Sequence, residues 1–84
     1  MNIEKYQEIN LIKQQLHSIP ECSLLYAHYF HPERWIISVG FLNMRENISN
    51  VSYIMYGHGY TLKHTEDVVG KDKHVDRKVL YFSK

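Results

Sequence analysis

The feature that most constrains this chain is a change of hydrophobic period at Pro20. Before it, Ile9, Ile12, Leu16 and Ile19 recur at spacings of three, four and three, one apolar stripe of an α-helix. Ile3 and Tyr6 extend the stripe, while Lys5, Glu8, Lys13 and Gln14 fall elsewhere. The spacing predicts a helix over about 2–18, with Asn2 as N-cap and Glu4 well placed in the first turn. Pro20 ends it, because the residue before a proline is pushed out of helical geometry.

After Pro20 the residues are β-branched, aromatic and alternating. Strands are expected at about 23–30, 34–44, 51–56, 60–66 and 75–82. In the second, Trp35, Ile37, Val39 and Phe41 share one face and form the best core candidate. Residues 45–50 are polar and read as a loop. In 51–56, Val51, Tyr53 and Met55 lie opposite Ser52, Ile54 and Tyr56. Turns are expected at His31-Pro32-Glu33, Gly57-His58-Gly59 and Gly70-Lys71-Asp72-Lys73. One helix followed by strands with short connections predicts a single α+β domain. Its N-terminal helix packs on one face of a four- or five-stranded antiparallel meander.

That architecture bears on function. A helix of about four turns covers one face of such a sheet. Yet the strands carry apolar residues on both faces, as in Tyr29 and Phe30, Trp35 and Ile36, or Phe41 and Leu42. Seven of the eleven aromatic residues are tyrosines, which pair a large apolar ring with a polar tip and suit interfaces. The uncovered face is therefore expected to be an interaction surface.

Composition narrows the classes. Hydrophobic residues at 44% and charged residues at 23% describe a globular chain rather than a disordered one. The longest apolar stretches are far short of a membrane span, and Glu4 and Glu8 interrupt the N-terminus where a secretion signal would be apolar. The lone Cys22 cannot form an internal disulfide. A cytoplasmic protein with no membrane partner is expected. The net charge of +1 is too balanced to assign nucleic acid from bulk electrostatics, although residues 63–84 hold six Lys/Arg against four Asp/Glu.

Chemical motifs are sparse. His28 and His31 have H-x-x-H spacing with Cys22 upstream, but no C-x-x-C or H-E-x-x-H supplies the remaining ligands of a zinc site, so no metal is expected. Without a P-loop or G-x-G-x-x-G there is no expected cofactor. His58, between two glycines and flanked by Tyr56 and Tyr60, sits where a turn would present it at the surface. His64 and Glu66 alternate onto one strand face, with His74 across the hairpin and Lys63, Lys73 and Arg77 nearby. That set suits acid–base chemistry, and in architecture alone the chain is similar to small toxin ribonucleases. No catalytic residue is assigned.

The leading expectation is a small non-enzymatic protein-binding module, an inhibitor or accessory factor acting through a tyrosine-rich sheet surface. Its partner would be another protein or a second copy of the chain in a homodimer. The expected contact residues are Tyr29, Arg45, Tyr53, Tyr56, His58, Tyr60, Arg77 and Tyr81. Two alternatives stand beside it: a nucleic-acid-binding protein using strand aromatics and the basic C-terminal hairpin, and a ribonuclease using His64 and His74.

Overall fold

A computed structural model of the chain describes residues 3–20, 22–27 and 34–84. The elements run α1 (Ile3–His17), β1 (Cys22–Ala27), β2 (Arg34–Gly40), α2 (Met44–Gly57), β3 (Thr61–Val69) and β4 (Val75–Ser83). All strand pairs are antiparallel, and the sheet order is β1-β2-β4-β3. The α+β class is as expected, but the meander is not. Because β4 lies between β2 and β3, those two strands run parallel and α2 crosses over between them, a split β-α-β unit. The chain is thus two successive helix–strand–strand halves whose last strands, β2 and β4, pair at the centre of the sheet.

The helix–strand boundary at Pro20 holds. Ile9, Ile12, Leu16 and Ile19 are all buried, and α1 closes with Ser18 and Ile19 donating to the carbonyls of Gln15 and Leu16. The expected loop at 45–50 and strand at 51–56 are corrected: both belong to α2. Its buried residues Asn47, Val51 and Met55 recur every four, with Met44 and Ile48 packed beside them. The alternation read in 51–56 is also compatible with that stripe, and burial of the stripe outweighs the weak helix propensity of Val, Ile, Tyr, Ser and Asn. Strand β2 accordingly stops at Gly40. Phe41, expected in the core, lies in the following turn and is 68% exposed.

Gly57-His58-Gly59 is not a hairpin turn but the end of α2. Gly59 adopts the left-handed conformation (φ 87°), its N–H donates to Tyr56 O (3.0 Å), and Tyr60 N–H reaches back to Met55 O (2.9 Å). This is a Schellman cap, completed by the burial of both Tyr60 and Met55. The turn expected after Gly70 is present, with Lys73 left-handed at φ 64°.

Both helices lie on the same face of the sheet. Trp35, Ile37 and Val39 of β2 and Leu80 and Phe82 of β4 meet Ile9, Ile12, Leu16, Ile19, Val51, Met55 and Tyr60 in one core. The Trp35 and Tyr60 rings meet edge-on, with centroids 6.1 Å apart. Each large side chain fully buried here contributes roughly 1.5–3 kcal/mol. Asn47 ties the helices together: its Nδ2 donates to Pro20 O (3.1 Å) beyond α1 and to Leu42 O (3.2 Å) before α2.

Candidate functional site

The expected contact residues do not share one place. Tyr29 lies outside the described residues. Tyr60 is in the core, 3% exposed, and offers a partner almost nothing. His58 is half-buried at the end of α2, where Nε2 hydrogen-bonds Gln15 Oε1 (2.8 Å) and Nδ1 lies 4.0 Å from Glu8 Oε1; it docks α2 onto α1. Arg45, Tyr53 and Tyr56 are on α2, and Arg77 and Tyr81 are on β4. Of the tyrosines expected on one sheet surface, Tyr53 and Tyr56 therefore lie on the helix side of the molecule and Tyr81 on the other side of the sheet.

The first surface is the outward side of α2. Arg45, Ser49, Tyr53 and Tyr56 follow spacings of four, four and three, and all four are exposed, Tyr53 at 82% and Tyr56 at 53%. Leu42 in the preceding turn is 62% exposed, like its neighbour Phe41. Beside this stripe lies a cleft of about 410 Å³ lined by Met44, Arg45, Ile48, Ser49 and Lys78. Its floor is apolar and its rim carries two cations, of which Lys78 is 3.5 Å from Asp67. Phe41 and Leu42 were not expected at this surface; alternation placed Phe41 in the core.

The second surface is the sheet face away from the helices, bearing Ile36 and Ser38 of β2, Arg77, Val79 and Tyr81 of β4, and His64 and Glu66 of β3. Val79 and Ser38 are buried there without joining the helix-side core. Ser38 Oγ has no hydrogen-bond partner among the described residues. Tyr81 is held in place. Its hydroxyl donates to Glu66 Oε2 (3.1 Å), and its ring lies 5.4 Å from that of His64, whose Nε2 is 3.3 Å from Glu66 Oε1. The hydrogen bond to Glu66, with burial and the carboxylate's charge adding to it, raises the Tyr81 pKa above 10.0. At the end of this face a second cleft, about 400 Å³, is lined by Arg34, Ile36, Lys63, Tyr81 and Ser83, together with Trp35 and Phe82.

The acid–base set expected around His64 and His74 is not assembled. His74 lies in the β3–β4 turn, its backbone N–H donating to Asp72 Oδ1 (3.3 Å). His64 lies six residues before Gly70, roughly 20 Å along an extended strand from that turn. Among the described residues, no group of three or more His, Cys, Asp and Glu converges as metal ligands would. No helix among the described residues is long and apolar enough to cross a membrane. Comparison with protein families, characterised proteins and solved structures gives no match.

Proposed function

We propose that the chain is a protein-binding module whose contact surface is the outward side of α2 and the turn before it. The supporting observation is the exposure of Tyr53 and Tyr56 on the same outward stripe as Arg45, and of Phe41 and Leu42 in the turn before the helix, whose inward Asn47, Val51 and Met55 are buried. Tyrosine and arginine are enriched among residues that dominate binding energy, and contiguous exposed apolar area on a small domain marks interaction sites. The neighbouring cleft supports one reading of the partner's chemistry. An apolar side chain fits against Met44 and Ile48, and a carboxylate beside it meets Arg45. An acidic protein segment with an apolar anchor meets both demands. The chain has room for about one interface of standard size, the scale of an inhibitor or accessory factor.

The test compares two double variants on opposite helices. A protein retained from native lysate by the wild-type chain should be lost with Tyr53→Ser/Tyr56→Ser and kept with Tyr6→Ser/Leu11→Ser, both variants remaining folded. Equal retention by both would overturn the assignment to α2. A concentration-dependent mass in solution that Tyr53→Ser/Tyr56→Ser abolishes would identify the partner as a second copy.

A further inference from the structure

We propose that the cleft on the helix-free face of the sheet binds a nucleotide, its phosphate between Arg34 and Lys63 and its base against Tyr81 and Ile36. The site is distinct from the α2 surface and lies on the opposite side of the sheet.

Strand register builds it. Arg34 pairs with Ser83 and Ile36 with Tyr81, so these four residues form two adjacent rows on one face. Lys63 joins them through an irregularity in β3. The register passes from Leu62↔Phe82 to His64↔Tyr81, leaving Lys63 as the extra residue. Such bulges re-aim a side chain, and Lys63 lines the cleft. Its volume of about 400 Å³ is within the range of small-ligand sites.

The chemistry is divided along the cleft. Among the described residues, no carboxylate lies within 4.0 Å of the charged nitrogens of Arg34 or Lys63. Two cations with no carboxylate partner among the described residues, in a cleft that Ser83 also lines, suit one phosphate, with arginine able to grip it through two parallel donors. Tyr81 offers something different. Its hydroxyl proton is committed to Glu66, so its ring rather than a hydrogen-bond donor is what it offers a ligand. His64 contacts that ring but does not line the cleft, leaving the cleft side of Tyr81 for a ligand. Ile36 continues the apolar surface. Glu66 repels a second anionic group at this end, which orients the ligand with its phosphate at Arg34 and Lys63 and its uncharged ring at Tyr81. The shared chemistry is that of a mononucleotide or of one nucleotide within a single strand.

The wild-type chain would be titrated at low salt with adenosine monophosphate, a ten-nucleotide single-stranded RNA and inorganic phosphate, with circular dichroism confirming each variant's fold. Saturable binding of the monophosphate or the RNA is expected. Arg34→Ala/Lys63→Ala and Tyr81→Leu should each weaken it about tenfold or more, while Tyr81→Phe retains it. Lys63→Glu, on an exposed strand edge, tests the charge separately should the double variant fail to fold. Binding of both probes with similar affinity identifies a mononucleotide site, and binding of RNA alone identifies a single-strand site. Three results would overturn the proposal: no binding of either nucleotide probe, affinity for inorganic phosphate equal to that for the monophosphate, or nucleotide binding indifferent to Arg34, Lys63 and Tyr81.

Discussion

The two helices are near-equivalents on their inner sides and differ on their outer ones. α1 has 15 residues and α2 has 14, both lie on the same face of the sheet, and each contributes a periodic stripe to one core. Outward, α1 exposes Glu4, Gln7, Asn10, Gln14, Gln15 and His17 with Tyr6 and Leu11 among them, whereas α2 exposes Arg45, Glu46, Ser49, Asn50, Tyr53 and Tyr56 and is entered through exposed Phe41 and Leu42. Folding demands explain the inner sides. They do not explain the more exposed tyrosines of α2 or the exposed Phe41–Leu42 turn before it, and that difference is what supports the contact surface proposed on α2.

The inner equivalence is the easiest part to break. Ile12→Ala and Met55→Ala each remove a fully buried side chain and should each cost about 2–5 kcal/mol in denaturant unfolding. A cost below about 1 kcal/mol for Met55→Ala alone would mean that α2 is not packed as α1 is. The link between the helices comes next. Asn47→Ala leaves the Pro20 and Leu42 carbonyls without that donor and should cost about 1–3 kcal/mol. The two helices also end differently, α1 before a proline and α2 at a left-handed glycine. Gly59→Ala should cost about 1–2 kcal/mol through backbone strain. Steric fit does not oppose it, since an added Cβ meets Lys84 Cε only at 3.9 Å.

The legibility of the two halves differs for the same physical reasons. α1 was readable because its apolar spacing fits a helix and Pro20 stops it. α2 was not, because Val51, Tyr53 and Met55 alternate while Met44, Ile48, Val51 and Met55 also keep helical spacing. Residue propensity favoured the strand, and tertiary burial selected the helix. Gly59 did not decide between them, since it fits a helix C-cap as well as a hairpin. Arg45, Tyr53 and Tyr56 were identifiable as contact residues by type, yet their shared stripe needed α2 to be a helix. Arg34, Lys63, Tyr81 and Ser83 come together only through the β2–β4 and β3–β4 registers, which no local pattern in the chain encodes.

The smallest expected effect lies on the sheet's other face and concerns pH. Because hydrogen bonding to Glu66 raises the Tyr81 pKa, the folded state favours the neutral phenol. The resulting stability is complete below the ordinary value of 10.0 and is lost as pH rises through the raised one. Ring-resonance titration of Tyr81 should move toward 10.0 in Glu66→Ala; an unchanged titration would show that Glu66 is not the cause.

The central claim is that the tyrosines of α2, and not the outward side of α1, meet the partner. Hydroxyl-radical footprinting of the wild-type chain, free and bound to the protein it retains, tests this at the side chains themselves. The account predicts that Tyr53 and Tyr56 are oxidised readily in the free chain and protected in the complex, with Tyr6 unchanged. Protection of Tyr6 with Tyr53 and Tyr56 still reactive would contradict it.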